Sequence, residues 1–211
     1  MKEYKELYTA VLEGKAKDAR AITEKALAEG ADPKQLVDRE MITAMAEVGR
    51  RFETNEYFVP ELLISARAMK AALELIKPLL VKSGVQPVGR VAIGTVKGDL
   101  HDIGKNLVAA MLEGGGFEVV DLGVDVSIEK FIAAVKEKNV EVLGLSALLT
   151  TTMPGMKGVI EDLKGQGLRE KVKVIIGGAP VTQNYANEIG ADGYADNASS
   201  AVALAKQLLA A

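Results

Sequence analysis

One polar loop in the sequence has residue types and a spacing that could do chemistry. It contains Asp99, His101 and Gly104, and His101 is the only histidine among the 211 residues. A histidine that binds a metal through one ring nitrogen usually donates its other N–H group to a carboxylate, and Asp99 lies close enough in sequence to accept it. The alternative is an ordinary surface histidine beside a helix N-cap formed by Asp99 or Asp102. Spacing alone favours that alternative.

The composition limits the kind of metal site that the loop could form. The chain has no cysteine and no second histidine, whereas a mononuclear zinc site uses three or four protein ligands. A single protein ligand suits a metal that is already held in a macrocyclic cofactor. The lack of cysteine also excludes disulfides, iron–sulfur ligation and thiolate catalysis.

Two further loops have a composition that suits ligand binding. Ser146 and the threonines at 150–152 follow an apolar run, and their hydroxyl groups could bind ligand amides, phosphate or ribose. A turn that caps the next helix explains them equally well. Gly177 and Gly178 follow another apolar run and permit close backbone approach or a positive φ. A lone Gly-Gly pair is weak evidence, because many loops contain one.

Strand and helix patterns alternate in the C-terminal part of the chain and determine where these loops lie. Continuous Val/Ile/Leu runs are typical of parallel strands that are covered on both faces. We therefore predict an α/β fold, with a doubly wound, five-stranded parallel sheet of flavodoxin-like strand order. Ligands of such sheets bind at the carboxyl ends of the strands, so the three loops should converge on one edge. The predicted strands are Arg90–Thr95, Phe117–Leu122, Val140–Leu145, Val172–Ile176 and Gly193–Ala195. The predicted helices are Ile103–Leu112, Ile128–Lys138, Pro154–Lys164, Thr182–Ile189 and Ser199–Leu209.

The N-terminal part of the chain has a helical pattern throughout. Four helical segments with short links and one apolar face each predict a small antiparallel bundle. Asp32 and Pro33 form an N-cap and first-turn pair that begins the third segment. Pro78 lies inside the fourth segment and should kink or end it. The segment Gly84–Gly89 breaks the pattern, so we predict a helical domain at residues 1–86 and a sheet domain at residues 87–211.

Charge and hydropathy exclude some classes of partner. The formal net charge is −3 and the isoelectric point is near 5.4, which argues against nucleic acid or an anionic membrane as partner. The charged N-terminus is unlike a signal peptide, and no apolar run approaches the roughly 18 residues of a membrane span. We expect a cytoplasmic protein.

The three loops together match the pattern of one family. From about residue 88 to 205 the chain closely resembles the cobalamin-binding domain of methionine synthase and of corrinoid methyltransferase proteins. The N-terminal part resembles the helical cap that precedes this domain, so the resemblance covers nearly the whole chain. The matching residues are Asp99/His101/Gly104, Ser146/Leu148 and Gly177/Gly178 in the sheet domain, and Val48-Gly49-x-x-Phe52 and Tyr57–Leu63 in the cap.

The resemblance implies a cobalamin cofactor with His101 as the lower axial ligand of cobalt, in place of the cofactor's own dimethylbenzimidazole. Asp99 would form a hydrogen bond with His101, and a hydroxyl group would in turn bind Asp99. Methionine synthase has serine at that place, whereas the matching residue here is Thr152.

Further cofactor contacts are implied in the same way. Ser146 and Thr150 would contact the nucleotide tail of the cofactor, and three glycines would leave a slot for that tail. Phe52 and Val59 would cover the upper, methyl-bearing face, although without the resemblance ordinary bundle core explains these two better. The slot glycines are Gly104, Gly177 and Gly178, and the other implied contacts are Asp102, Ile103 and Leu148.

The function that the resemblance implies is methyl transport by a non-catalytic subunit. The cobalt would cycle between Co(I) and methyl-Co(III), loaded by a donor-specific methyltransferase and unloaded by an acceptor methyltransferase that acts on a pterin such as tetrahydrofolate or on a thiol. A reductive activator would be a further partner. The helical part must swing aside to expose cobalt, and Gly84–Gly89 would be the hinge. Alternatives are the cobalamin-binding subunit of an adenosylcobalamin mutase, a cobalamin-sensing regulator, and a flavodoxin-like flavin- or nucleotide-binding protein.

Overall fold

The computed structural model describes residues 4–210, and this part of the chain forms two compact units. The first unit comprises the chain up to Val88 together with Glu113–Gly116. The second comprises Gly89–Leu112 and the chain from Phe117 onward. The predicted boundary between a helical cap domain and a cobalamin-binding domain, at residues 86 and 87, stays a prediction.

The first unit is helical, as its apolar periodicity predicts. The third predicted segment is continuous but contains a π-helical stretch, Leu36–Met41, between two α-helices. Such stretches are rare in proteins, and nothing in the apolar pattern indicated one. The helices are α1 (Lys5–Leu12), α2 (Ala16–Ala28), α3 (Pro33–Gln35), α4 (Ile42–Glu53) and α5 (Val59–Lys82).

Local signals explain where these helices begin and pack. The Asp32 side chain accepts a hydrogen bond from the Lys34 backbone N–H at 2.9 Å, and Pro33 takes the first helical position, as predicted. Ser65 of α5 donates a hydrogen bond to the Leu12 carbonyl at the end of α1 at 2.9 Å. The helices bury a shared aliphatic core that includes Leu7, Val11, Met41, Met45, Leu62 and Met69.

The expectation that Pro78 could end the fourth segment is wrong, because α5 continues past it to Lys82. Proline removes the N–H group that would bond to the carbonyl of Glu74. Both residues are exposed, so water can bind that carbonyl in place of the missing donor. The helix therefore tolerates the proline at a cost in stability.

The second unit contains the predicted parallel sheet. Its strand order is β2-β1-β3-β4-β5 and every pair is parallel, which is the flavodoxin-like order. Because β1 lies beside β3, the loops that follow these two strands meet at the carboxyl edge. The strands are β1 (Arg90–Val96), β2 (Glu118–Val126), β3 (Val142–Ser146), β4 (Lys173–Gly177) and β5 (Gly193–Tyr194).

Helices cover both faces of the sheet, which explains its continuous apolar strands. Leu112 and Ala205 lie in the first and last helices of the second unit. They pack on one face of the sheet against Val91, Val142 and Ile175. The other three helices pack on the opposite face, where Phe131 is fully buried. These helices are α6 (Ile103–Gly114), α7 (Ile128–Glu137), α8 (Pro154–Gly165), α9 (Gln183–Ile189) and α10 (Ala198–Ala210). Among residues 4–210, no helix is both long and apolar enough to cross a membrane.

Strand β2 continues four residues beyond its predicted end at Leu122. The strand does not end at Gly123, because the pairing with β1 shifts there, from Ile93 opposite Asp121 to Gly94 opposite Gly123. This is a β-bulge, in which an extra residue is accommodated and the strand continues. The edge strand thereby reaches the loop that contains His101.

Replacing Pro78 with alanine should stabilise the first unit, since the helix gains one backbone hydrogen bond and loses the clash of the proline ring. We expect the free energy of unfolding to rise by about 1–3 kcal/mol, measured by urea denaturation followed by far-ultraviolet circular dichroism. Pro60→Ala is the matched control, because Pro60 lies in the first turn of α5, where a missing N–H costs nothing. Equal effects of the two substitutions would contradict the explanation.

Candidate functional site

Asp99 is completely buried in the loop between β1 and α6, and both of its carboxylate oxygens are hydrogen-bonded. Its Oδ1 accepts from His101 Nδ1 at 2.7 Å and from the His101 backbone N–H at 3.1 Å. Its Oδ2 accepts from the backbone N–H groups of Leu148 at 2.8 Å and Leu149 at 3.3 Å, and from Thr152 Oγ1 at 2.8 Å. A buried carboxylate is tolerated only when it is bonded in this way. The loops after β1 and β3 are therefore joined at this one side chain.

The hydrogen bonds keep Asp99 ionised. Burial alone would raise the pKa of its carboxyl group, but the hydrogen bonds from Leu148, His101 and Thr152 together lower it well below the usual range. An ionised carboxylate can only accept hydrogen bonds. Each of its neighbours must therefore supply a proton.

The proton on His101 is consequently at Nδ1, where the ring donates to Asp99. In the neutral ring this leaves Nε2 with its lone pair available to bind a metal. Half of the His101 side chain is exposed, whereas Asp99 is not exposed at all. Thr95 in turn donates from Oγ1 to the His101 carbonyl at 2.8 Å, which holds the backbone of the loop against the end of β1.

The hydroxyl group of Thr152 has two acceptors within reach but only one proton. Besides Asp99, the Leu149 carbonyl lies 2.9 Å from Oγ1. That carbonyl already accepts the backbone N–H groups of Thr152 at 3.1 Å and Met153 at 3.2 Å. The hydroxyl proton therefore goes to the charged acceptor, and the hydrogen-bonded order is Thr152, Asp99, His101, as expected from the resemblance.

Exposed apolar side chains accompany His101 at this edge of the sheet. Leu100, on the histidine loop, is 71% exposed, and Ile103, the first residue of α6, is 79% exposed. Leu148 and Leu149, which bind Asp99 through their backbone, are also exposed. A cluster of exposed aliphatic residues indicates a surface that binds something apolar. A free Nε2 within such a surface fits a metal held in a large, mostly apolar macrocycle.

The polar residues predicted at the same edge take different positions. Ser146 ends β3 and is paired with Thr95 and Gly177 in the sheet, whereas Thr150 is exposed in the following loop. Asp102, immediately before α6, accepts a hydrogen bond at 3.1 Å from Asn106 Nδ2 in that helix. The contacts of these residues with a cofactor stay predictions.

The three predicted slot glycines differ in what surrounds them. A side chain at Gly104 would meet no atom within 4 Å, so the space beside it is open to a ligand. At Gly178, where φ is +129°, a Cβ atom would lie 1.9 Å from the Ala147 carbonyl oxygen. At Gly177 a Cβ would lie 3.0 Å from the Ala195 carbonyl oxygen. The protein's own backbone therefore requires glycine at 178, and a role for it in a cofactor slot stays a prediction.

Phe52 and Val59 belong to the first unit. Phe52 is half-buried at the end of α4, and Val59 is 37% exposed at the start of α5. Neither is a core residue of the helices, and their neighbours Phe58 and Leu63 are also exposed. That these residues cover a cofactor stays a prediction.

Several residues that support the site were not identified from the sequence alone. Thr95 could have been found, because it is a polar residue in an otherwise apolar strand next to the histidine loop. The backbone donors Leu148 and Leu149 have no residue-type signal. Lys105, which binds Asp121 of β2, and Asp125, which accepts the Gly98 backbone N–H, had no signal in the sequence either, because residue spacing does not reveal contacts between a strand and a loop.

Comparison with known proteins identifies the family of the chain. Two family models, each described as a B12 binding domain, match residues 89–203 and residues 3–77. The chain is 50% identical over 206 residues to dimethylamine corrinoid protein 1 of Methanosarcina acetivorans, an alignment that covers 97% of this chain and 96% of the relative.

Two solved structures are also similar. A cobalamin-binding protein from Desulfitobacterium hafniense is 34% identical, with a TM-score of 0.80 and 98% of each chain covered. The methanol:cobalamin methyltransferase complex MtaBC from Methanosarcina barkeri contains a chain that is 33% identical, with a TM-score of 0.86. That match covers 97% of this chain and 78% of the other.

Thr152→Val should destabilise the cofactor-free protein, because the buried Asp99 carboxylate loses a donor. We expect a loss of about 1–2 kcal/mol in the free energy of unfolding, measured by urea denaturation. Thr152→Ser keeps the hydroxyl group and should stay within about 0.5 kcal/mol of the parent protein. If serine and valine behave alike, the hydroxyl proton does not go to Asp99.

Gly178→Ala should be strongly destabilising, because the new methyl group overlaps a backbone carbonyl at a φ that alanine avoids. The expected loss is about 3 kcal/mol or more in the same denaturation experiment without cofactor. Gly165→Ala serves as the control, since its Cβ would meet nothing within 4 Å. A mild effect at 178 would show that the β3 and β4 loops can move apart.

Proposed function

The chain belongs to the family of B12-binding corrinoid proteins, whose cofactor is a cobalamin, and from this premise we propose that it carries a methyl group between two methyltransferases, with His101 as the cobalt ligand. The observation that supports the proposal is the Asp99–His101 pair, which leaves Nε2 free within an exposed apolar surface. When bound, the cofactor supplies a cobalt atom that accepts a methyl group and gives it up again.

The protein's part is to hold the imidazole in one tautomer and one orientation. Asp99 fixes the proton at Nδ1 and orients the ring, as carboxylates behind metal-bound histidines do. Thr152 and the Leu148 N–H group keep Asp99 ionised and immobile. The open space beside Gly104 and the hydroxyl groups of Ser146 and Thr150 would accept the nucleotide tail of the cofactor.

We propose a methylamine as the methyl donor, with dimethylamine as the first candidate. The relative with 50% identity over nearly the whole chain is named a dimethylamine corrinoid protein, whereas the chain from the methanol system is 33% identical. A methylamine-specific methyltransferase would load the cobalt, and a pterin or thiol methyltransferase would unload it. A reductive activator would restore the reduced cobalt. We propose that the protein acts in the cytoplasm.

The axial-ligand assignment can be tested without ambiguity, because His101 is the only histidine. Protein made without a histidine tag and with ¹⁵N-labelled histidine is loaded with hydroxocobalamin and reduced to Co(II) for EPR spectroscopy. We expect the nitrogen hyperfine pattern to change from a triplet to a doublet on labelling. An unchanged triplet would mean that the cofactor's own base is the ligand.

Substitutions at the pair give a second test of the site. His101→Ala should remove the nitrogen hyperfine pattern from the Co(II) spectrum, and a pattern that survives would contradict the axial-ligand assignment. Asp99→Asn should weaken cofactor binding by about 10–100-fold, since the histidine loses its charged partner. Affinity is measured by absorption titration with hydroxocobalamin. Equal affinity in Asp99→Asn and the parent protein would contradict the role of Asp99.

The donor is tested with the cobalamin-loaded protein, reduced to Co(I) with a chemical reductant, and separately purified methyltransferases specific for mono-, di- and trimethylamine and for methanol. With this protein as the only methyl acceptor, we expect the dimethylamine enzyme to demethylate its substrate, which releases monomethylamine, faster than the other enzymes demethylate theirs. Fastest demethylation of methanol would overturn the donor proposal and leave the methyl-carrier role intact.

A further inference from the structure

The edge strand β2 holds the first part of the histidine loop through Asp125. Asp125 Oδ1 accepts the Gly98 backbone N–H at 2.7 Å, and the Asp125 backbone N–H donates to the Asp99 carbonyl at 3.0 Å. Asp125 has a φ of 49°, which is unusual for a residue other than glycine. It lies where the pairing of β2 with β1 shifts a second time, between Gly94 and Val96. The irregular end of β2 thus binds the loop on both sides of Asp99's backbone.

The same strand holds the far end of the loop through an ion pair. The Lys105 side chain, in the first turn of α6, is only 2% exposed. Its Nζ lies 2.6 Å from each Asp121 carboxylate oxygen and 2.7 Å from Asn106 Oδ1, so its three protons all have acceptors. Asp121 also accepts the Gly123 N–H at 2.8 Å and so stabilises the bulge. Leaving the buried ammonium group without this partner would be costly, and α6 therefore stays attached to β2.

Packing alone does not hold the His101 ring, because half of its side chain is exposed. The place of Nε2 relative to the sheet edge must come from the backbone of the loop and from Asp99. Both ends of that backbone are attached to β2, by Asp125 at one end and by Lys105 with Asp121 at the other. A loop that lost either attachment would let the imidazole reach several positions.

We propose that Asp125 and the Lys105–Asp121 pair are positioning residues that set His101 for cobalt binding. The inference rests on the proposed function, in which His101 is the cobalt ligand. None of these three residues belongs to the motif shared with the family. Their effect on the cofactor is indirect, since it passes through the backbone of the loop and through Asp99.

The decisive variants are at Asp125, because its unusual φ allows a clean comparison. Asp125→Gly removes the acceptor while glycine adopts the positive φ without strain. Asp125→Asn keeps an oxygen acceptor and also tolerates this conformation. We expect Asp125→Gly to weaken hydroxocobalamin binding by about tenfold or more and to lower the fraction of Co(II) that shows the ¹⁵N-histidine doublet. Asp125→Asn should restore both quantities.

Asn139→Gly is the matched control for this substitution. Asn139 has the same φ of 49° and is exposed at the end of α7, in the same unit. Its replacement should leave the affinity and the doublet unchanged. An equal effect at 139 and 125 would show that lost backbone rigidity in general, and not the bond to Gly98, is responsible.

Lys105→Met tests the other end of the loop with a side chain of similar length and no charge. We expect the same fall in affinity and in the doublet fraction. Arg169→Met is its control, because Arg169 forms a comparable ion pair with Asp192 at 2.7 Å elsewhere in the unit. The control should lower the thermal stability of the cofactor-free protein without changing histidine coordination. If Lys105→Met does not fold, the Asp125 variants alone decide the proposal.

The outcomes separate this inference from the one on which it depends. Wild-type affinity and a full doublet in both Asp125→Gly and Lys105→Met would overturn the positioning role and leave His101 as the ligand. If the parent protein itself shows no label-dependent pattern, the axial-ligand assignment fails, and the positioning role fails with it.

Discussion

The candidate site depends on one constraint, which is that a completely buried carboxylate must have its hydrogen bonds satisfied. Asp99 meets this condition with donors from its own loop and from the loop after β3. The second loop can reach it only because β1 and β3 are neighbours in the sheet. The ionisation of Asp99, the proton on His101 Nδ1 and the free Nε2 all follow from these hydrogen bonds. The chain itself thus holds the imidazole of the proposed cobalt ligand in one tautomer.

The residues at the sheet edge serve two different requirements. Gly178 is needed because the backbones of two loops approach closely, and this would hold in a protein that bound nothing. Gly104 has open space beside it, and Leu100 and Ile103 are exposed, so the packing of the chain does not require these residue types. A family motif does not distinguish residues that the backbone itself requires from residues that it does not require. Their surroundings in the folded chain do.

Much of the fold could be predicted from the sequence, since it depends on local patterns. The alternation of apolar strands with amphipathic helices indicated the parallel sheet, and the N-cap at Asp32 was recognisable from two residues. The errors arose where context outweighs a local rule. Gly123 is accommodated by a bulge and does not end β2, and α5 continues past Pro78, where the Glu74 carbonyl belongs to an exposed residue. The π-helical stretch Leu36–Met41 has no known pattern in residue type alone.

For the site, the sequence by itself determined which residues could bind a metal or a ligand and which fold class holds them. Through the family pattern it also indicated the cofactor. These follow from residue types and short spacings, and Asp99 and His101 are only two residues apart. The tertiary structure decided which atom holds each proton and which residues support the loop. Thr152 and Asp99 are 53 residues apart, and Lys105 and Asp121 are 16 apart. Hydrogen bonds depend on distances of a few ångströms, and the separation of residues along the chain does not specify such distances until the strands are aligned.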